Sequence, residues 1–297
     1  MKIRANGIDI EVEDSGAGAP GERRPAVLLI MGLGMQLTEW PAPLVQALLD
    51  AGLRVIRMDN RDIGLSQHFD QLGTPNLLWQ SIKLKLGLTL RAPYSLTDMA
   101  RDAIGVLDAL GVEKAHVVGV SMGGMIAQRV AIAAPQRVLS LTSIMSSSGA
   151  QGLPQARPEV MRALMGRPAS SALGDLLDHY VRLFKAIGSP GFPMAEAQMR
   201  ERITAGIQRS FHPAGTQRQM LAVVADAGRA AELARVESPT LVLHGKADPL
   251  VPYACGEDTA RRIRGAKLVG VEGMGHDLPP GVIERLLEPM LAHLRAA

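Results

Sequence analysis

The stretch "VVGVSMGGMIAQ", residues 117–128, places Ser121 in a glycine-rich turn between an apolar run and an amphipathic one. Its centre follows the pattern G-x-S-x-G, with glycine at positions 119 and 123. Because strand-like residues precede the pattern and helix-like residues follow it, we predict a sharp strand-to-helix turn. Glycines suit such a turn, since strand and helix crowd together around a strained backbone. The stretch therefore predicts a parallel sheet with a serine hydroxyl exposed at its carboxyl edge.

A reactive serine needs a base and a group that orients the base, because its hydroxyl is a weak nucleophile at neutral pH. Two later loops supply candidates. "LVLHGKADPLVP" presents Asp248 after one apolar run, and "LVGVEGMGHDLPP" presents His276 after the next. The order serine, aspartate, histidine, each beyond the carboxyl end of a strand, is typical of a hydrolytic triad on this kind of sheet. We predict Ser121 as nucleophile, His276 as base and Asp248 as the orienting group.

Each of these residues also has an ordinary structural interpretation. The serine could simply cap the helix that follows it, and Asp248 precedes a proline, as turn formers often do. His276 is one of seven histidines, of which His212 stays a rival base on sequence grounds. The agreement of three positions in context favours the triad over these alternatives.

Acyl transfer also needs hydrogen-bond donors for an oxyanion. The N–H of Met122, directly after the nucleophile, is one candidate. The loop "MGLGM", residues 31–35, follows an apolar run and offers the N–H of Leu33 as the second. The alternative is that this loop is only a connection between a strand and a helix.

The fold class predicted from periodicity is α/β, with a doubly wound, mostly parallel, eight-stranded sheet. An Asn-Gly pair within residues 2–14 predicts an antiparallel hairpin at one sheet edge. Six further strands are predicted at residues 26–31, 53–58, 115–120, 138–144, 240–244 and 267–271. Helices are predicted at residues 41–51, 95–110, 122–134, 253–264 and 280–294.

Residues 150–235, here called the inserted segment, have helical patterns broken by prolines and glycines and no convincing strand. We predict a helical cap there, on a core formed by residues 1–149 and 236–297. Its apolar side chains predict a hydrophobic substrate pocket. The candidate lining residues are Met161, Met165, Phe184, Phe192 and Met194. The same side chains could instead form the cap's own core.

Charged and apolar side chains elsewhere leave two questions open. Arg157, Arg162, Arg167, Arg200 and Arg202 could select an anionic group or lie on a solvated surface. In residues 76–90, apolar positions approximate one face of a helix. This face could pack against the cap or the core, or it could bind a membrane surface or a partner.

Composition excludes several other classes of protein. The chain has 297 residues, 47% of them hydrophobic, and a formal charge of only +3 with no basic stripe, so we expect no nucleic-acid partner. Charges interrupt the first residues, and no apolar run approaches a membrane span, so we expect a cytoplasmic protein without stable membrane insertion. No metal-ligand motif is present, and we expect neither a metal nor another cofactor. The sequence is compatible with a monomer or a homodimer.

With the predicted triad and the MGLG loop, the chain resembles the α/β-hydrolase superfamily over nearly its whole length. More closely, it is similar to the esterases grouped with aclacinomycin methylesterase. The stretches that carry this resemblance are "LLIMGLGMQLTEWP", "VIRMDNRDIGLS" and "ARDAIGVLDALGVEKAHVVGVSMGGMIAQ". It departs from the superfamily in having Met31 where histidine is common, which removes a polar side chain but keeps the backbone donor. An aspartate at position 62, where many superfamily members have glycine, is shared with the methylesterase-like group.

The resemblance implies hydrolysis of small to medium hydrophobic carboxylic esters through an acyl-enzyme on Ser121. Two enzymatic alternatives use the same triad, namely a cofactor-free perhydrolase of the haloperoxidase type and a carbon–carbon bond hydrolase. A small-molecule receptor built on a hydrolase scaffold is the alternative of another class.

Overall fold

The apolar runs of the sequence form one sheet in the computed structural model. The structure describes residues 1–18, 24–76, 79, 80, 82, 83, 86, 88, 90–226 and 228–297. Within them, eight strands are hydrogen-bonded in the order β1-β2-β4-β3-β5-β6-β7-β8. Their bounds are β1 Lys2–Ala5, β2 Ile8–Ser15, β3 Ala26–Ile30, β4 Arg54–Met58, β5 Ala115–Val120, β6 Val138–Ile144, β7 Thr240–Gly245 and β8 Lys267–Val271.

The sheet is parallel except at one edge, where β1 and β2 form an antiparallel hairpin and β2 runs antiparallel to β4. Asn6 and Gly7 form the hairpin turn with φ of 49° and 76°. Two successive positive φ values match the twist of the flanking strands, which is why an Asn-Gly pair suits this position. The eight strands and the edge hairpin confirm the predicted fold class.

Helices cover both faces of the sheet, as a doubly wound arrangement requires. One buried cluster contains side chains of α2 and α3, and a second, on the other face, contains those of α1 and α10. The α-helices among the described residues are α1 Ala42–Asp50, α2 Leu96–Ala109, α3 Met122–Ala133, α4 Pro158–Met165, α5 Leu173–Ile187, α6 Glu196–Arg209, α7 Pro213–Val224, α8 Arg229–Glu232, α9 Tyr253–Arg262 and α10 Pro280–Arg295.

The inserted segment lies between β6 and β7 and contains helices α4 to α8, with no strand in its described part. Val181, Met199 and Ile203 form a small apolar cluster of their own between α5 and α6. Ala222 of α7 and Leu233 instead join the main core. The inserted segment is therefore only partly independent of the sheet in its packing, and its division from the core as a separate domain stays a prediction.

The predicted helix face within residues 76–90 rests partly on Leu77 and Leu78, which lie outside the described residues. Two other side chains of this segment, Trp79 and Leu86, are 53% and 66% exposed. In the described part of the chain, no α-helix combines the length and the apolar character needed to cross a bilayer.

Two glycines allow the strand-to-helix turn at Ser121 to pack. A β-carbon on Gly119 would overlap the carbonyl oxygen of Gly123, and one on Gly123 would overlap the carbonyl oxygen of Ile30. Both obstacles are backbone atoms, which cannot move aside as a side chain can. Strand β3, strand β5 and helix α3 therefore meet at a distance that only glycine permits.

We expect Gly123→Ala to lower the free energy of unfolding by about 2 to 3 kcal/mol, because β3 and α3 must separate to admit the methyl group. The control is Gly174→Ala in α5, where an added β-carbon meets no atom within 4 Å. That change is expected to be neutral or to stabilise by up to about 1 kcal/mol. Urea denaturation followed by circular dichroism measures both. Equal changes in the two variants would contradict this account of the turn.

Candidate active site

Ser121 lies at the turn between β5 and α3 with φ of 55° and ψ of −120°. A non-glycine residue seldom adopts a positive φ, because this backbone conformation is strained. Hydrogen bonds to the N–H and to the carbonyl of Ser121 stabilise it here. Its N–H donates to the carbonyl of Ile144 at 2.9 Å, and its carbonyl accepts from Ser146 Oγ at 2.7 Å. This backbone conformation fixes the position of the hydroxyl above the carboxyl ends of the strands.

The structure brings the three predicted triad residues into one hydrogen-bonded chain. Ser121 Oγ lies 3.0 Å from Nε2 of His276, and Nδ1 of His276 lies 2.7 Å from Oδ2 of Asp248. The second oxygen of Asp248 accepts the N–H groups of Leu250 and Val251 at 2.9 and 2.8 Å. These two bonds fix the carboxylate, so the imidazole keeps Nδ1 toward it and Nε2 toward the serine.

His244 lies directly behind the carboxylate, with Nε2 3.7 Å from Asp248 Oδ2 and 2.8 Å from the carbonyl oxygen of Val251. Burial lowers the pKa of His244, which favours a neutral ring that donates to this carbonyl. The ring therefore supports the turn that carries Asp248 and does not contact Ser121.

The loop after β3 lies against the serine. A β-carbon on Gly32 would stand 3.3 Å from Cβ of Ser121. Asn60 Nδ2 donates to the Met31 carbonyl at 2.9 Å, and the N–H of Gly34 donates to Gln219 Oε1 at the same distance. These bonds fix the loop from both sides of residue 33.

Two backbone donors remain for an anion at this point. Within the described part of the chain, no hydrogen-bond acceptor contacts the N–H of Leu33 or that of Met122. The Met122 N–H is at the start of α3, where the helix dipole favours negative charge. The role of these two N–H groups as oxyanion donors stays a prediction.

A cavity of about 280 Å³ lies over the serine and is lined by both the core and the inserted segment. Apolar side chains of α5 and α6 form its upper wall. Among them are Tyr180, Leu183, Phe184, Met199, Ile203 and Ile207. Ser121 and His276 lie at its base with the MGLG loop. The triad thus opens into a mainly hydrophobic space.

Of the five side chains predicted to line a pocket, the structure places Phe184 and Met194 in the cavity wall. Met161 and Met165 of α4 are 40% and 46% exposed and do not line it. Phe192 packs against the hydrophobic core beside α10. For these three the expected placement is corrected, because α4 directs its methionines to solvent and the turn after α5 directs Phe192 to the sheet side.

An ion pair lies in the cavity wall. Arg202 of α6 donates to Glu39 Oε2 at 3.1 Å, and both residues line the cavity. Burial raises the pKa of Glu39, and the guanidinium partly offsets this effect. Arg200, two positions earlier, pairs instead with Asp178 and Glu196 at the surface. Arg200 therefore belongs to a solvated surface, whereas Arg202 lines the cavity with its charge paired to Glu39.

The stretch "DNRDIGLS", residues 59–66, forms a scaffold below the cavity. Arg61 and Asp102 are both buried and pair at 2.6 and 2.7 Å. Asp62 has a φ of 71° and pairs with the fully buried Arg218 of α7 at 2.7 and 2.8 Å. Ile63 lines the cavity, whereas Asn60 and Arg61 do not.

His212, the rival base, lines the cavity, but both of its ring nitrogens are hydrogen-bonded elsewhere. Its ring nitrogens lie 2.8 Å from the Asp62 carbonyl and 2.8 Å from Asp70 Oδ1, and its ring stacks on His68. His68, Asp70 and His212 form a group of the kind that can bind a metal ion. Arg218 also contacts Asp70, at 3.3 Å, and already supplies positive charge to that carboxylate. The three side chains therefore belong to a hydrogen-bonded cluster in which Arg218 supplies the positive charge.

A hydrolase family model, described as the α/β hydrolase fold, matches residues 25–279. The chain belongs to the α/β-hydrolase fold family. It is 32% identical to the rhodomycin D methylesterase DauP of Streptomyces sp. (strain C5), over 97% of this chain and 96% of that protein. It is 29% identical to the 2-hydroxymuconate semialdehyde hydrolase of Pseudomonas sp. (strain CF600), over 93% of this chain and 86% of that one.

Among solved structures, the meta-cleavage product hydrolase of Pseudomonas fluorescens IP01 matches with a TM-score of 0.74 and 20% identity. The match covers 100% of this chain and 97% of that chain and shows the shared fold. At the level of the family, the methylesterase relative supports an ester hydrolase. The resemblance found in the sequence is thereby confirmed.

We expect Phe184→Ala to raise the KM for p-nitrophenyl butyrate about tenfold, because it removes apolar surface from the cavity wall. Met161→Ala is the matched control, since that side chain lies outside the cavity, and it should change KM less than about twofold. Initial-rate kinetics at several ester concentrations measures both. A larger effect at Met161 than at Phe184 would contradict the cavity described here.

Proposed function

We propose that this protein hydrolyses carboxylic esters of small to medium hydrophobic compounds through an acyl-enzyme on Ser121. The observation that carries the proposal is the hydrogen-bonded chain from Ser121 through His276 to Asp248 at the base of an apolar cavity. Neither a metal nor an organic cofactor takes part in this chemistry, because the nucleophile, the base and the oxyanion donors all come from the chain.

The first half-reaction forms the acyl-enzyme. Ser121 Oγ attacks the ester carbonyl while His276 Nε2 takes the hydroxyl proton. Asp248 accepts a hydrogen bond from Nδ1 and stabilises the imidazolium that results. The tetrahedral intermediate then collapses, its bond to the alcohol oxygen breaks, and His276 returns the proton to the leaving alcohol.

The oxyanion of the intermediate accepts hydrogen bonds from the N–H groups of Leu33 and Met122. Removing one donor from such a site in other hydrolases costs roughly 10²- to 10³-fold in rate. In the second half-reaction His276 takes a proton from water, the hydroxide attacks the acyl carbonyl, and Ser121 regains its proton as the acid leaves.

The cavity supports a substrate with a hydrophobic body. Its wall of α5 and α6 side chains disfavours sugars and highly charged compounds, which would lose hydration without gaining partners. A volume of about 280 Å³ suits a small to medium ester. Similarity to a rhodomycin D methylesterase supports methyl esters of polyketide-like acids as one class to test. We propose that the inserted segment acts as the cap that excludes water.

A second candidate is a carbon–carbon bond hydrolase, which is favoured by the similarity to 2-hydroxymuconate semialdehyde hydrolase. A panel of p-nitrophenyl acyl esters, methyl esters and a vinylogous diketone separates the two activities. We expect ester cleavage, with the acyl and alcohol chain lengths varied independently. Cleavage of the diketone by a protein that leaves all the esters intact would replace the ester hydrolase with the second candidate.

We expect a fluorophosphonate probe to label folded protein at Ser121, because the activated hydroxyl attacks phosphorus as it attacks an ester carbonyl. Ser121→Ala should abolish labelling and lower kcat/KM by roughly a thousandfold or more. Ser171→Ala changes an exposed serine and serves as control. Mass spectrometry locates the adduct. Full hydrolytic activity in Ser121→Ala would refute the mechanism.

The labelling rate should fall once the pH is low enough to protonate the base, because only neutral imidazole accepts the serine proton. Rates measured between about pH 4 and pH 9 test this, with circular dichroism as the control for folding at each pH. A labelling rate as high at the acidic end as at neutral pH would exclude His276 as the base.

A further inference from the structure

The turn that follows α5 is hydrogen-bonded to the loop that carries His276. The N–H of His276 donates to the carbonyl of Ile187 at 2.7 Å. The N–H of Gly191 donates to the carbonyl of Gly273 at 2.9 Å, and a β-carbon on Gly275 would overlap the carbonyl of Gly188. Residues 187–191 of the inserted segment and residues 273–277 of the core thus form one closely packed unit.

At the centre of this unit, the Ser189 hydroxyl joins the two neighbours of His276. Ser189 Oγ accepts the N–H of Gly275 at 2.8 Å and donates its proton to Oδ1 of Asp277. The side chain is nearly inaccessible, with Ser189 only 3% exposed. A hydroxyl is one of the few groups that can donate and accept through a single atom, so alanine cannot replace it.

We propose that Ser189 is a positioning residue that holds the His276 imidazole at hydrogen-bond distance from the Ser121 hydroxyl. The inference rests on the proposed function, in which His276 is the base. The direction of the imidazole depends on the backbone at residues 275–277, which Ser189 fixes from both ends. Productive geometry in such a site tolerates errors of only about 0.5 Å, and a shift of about 1 Å can cost roughly a hundredfold in rate.

The chemistry around Ser189 explains why the hydroxyl matters more for positioning than for packing. Without it, the Gly275 N–H and the Asp277 carboxylate both lose a partner within a buried site. Burial already raises the pKa of Asp277, and the hydrogen bond from Ser189 opposes that effect. Without the hydroxyl, Asp277 would keep the backbone N–H of residue 189 as a partner. The direct link from the Asp277 carboxylate to the Gly275 N–H would be lost, so the backbone of His276 would be less firmly held.

The same unit connects the base to the substrate wall. Ile187 ends α5, and both Ile187 and Phe184 line the cavity. The hydrogen bonds at residues 187–191 therefore join the end of α5 directly to the loop that carries His276.

We expect Ser189→Ala to label at Ser121 with the fluorophosphonate about ten- to a hundredfold more slowly than wild type. For an ester substrate, kcat should fall with KM changed less than about twofold, because the cavity wall is intact. The control is Ser140→Ala in β6, which also loses a buried serine hydroxyl, here bonded to His116 at 2.8 Å. Its labelling rate should match that of wild type. Equal rates in the two variants would overturn the proposal.

Two variants of Asp277 keep the proposal testable if Ser189→Ala does not fold. Asp277→Ala removes the acceptor of the Ser189 hydroxyl and is expected to slow labelling about tenfold. Asp277→Asn keeps an oxygen acceptor and should lose less than about threefold. Equal losses in the two variants would assign the effect to charge and overturn the role of Ser189.

Proton NMR provides a readout that does not depend on any substrate. The proton shared by His276 Nδ1 and Asp248 should give a downfield resonance in wild type and in Ser140→Ala, and a broadened or shifted one in Ser189→Ala. An unchanged resonance would overturn the positioning role.

Labelled protein that cleaves no ester would refute only the proposed substrate class. Wild-type protein that is not labelled at Ser121 would refute the proposed function, and the resonance would still decide the inference about Ser189.

Discussion

Close backbone packing around Gly119 and Gly123 is the constraint on which the rest of the structure depends. It brings β3, β5 and α3 together so tightly that a β-carbon at either glycine would overlap a carbonyl oxygen. That distance forces Ser121 into a positive φ and directs its hydroxyl out of the sheet. It also places the start of α3 beside the MGLG loop, so one packing contact sets both the Ser121 hydroxyl and the two N–H groups that we propose as anion donors.

The features that could be predicted from the sequence are those encoded by short, local patterns. Alternating apolar runs and helical periodicity gave the sheet and its covering helices, and an Asn-Gly pair gave the edge hairpin. The loops that present Asp248 and His276 were located because each follows a buried strand, and parallel strands bring their carboxyl ends to one edge. The hydrogen bonds among the three side chains then follow from the topology.

Features built from residues far apart in sequence could not be predicted in the same way. The pair of Glu39 and Arg202 links the loop after β3 to α6, and no local sequence pattern predicts this contact. The rotation of α4 and the turn at Phe192 depend on packing, so hydrophobicity alone could not separate lining residues from the rest. No sequence pattern indicates the contacts of Ser189, because its two partners lie in a loop beyond β8.

Different residues determine stability and substrate range in this protein. Ion pairs join the inserted segment to the core, and apolar side chains line the cavity. Arg209 pairs with Asp59, and Arg218 with Asp62, at sites where losing one partner would leave a buried carboxylate uncompensated. The apolar side chains of α5 and α6 that form the cavity wall are less constrained, because volume-conserving exchanges among hydrophobic side chains cost little stability. Under the proposed function, exchanges of side chains such as Phe184 can therefore change which ester is accepted, while the arginines keep the scaffold fixed. Substitutions that change specificity therefore cost little stability in this architecture, whereas substitutions in the buried ion pairs cost much more.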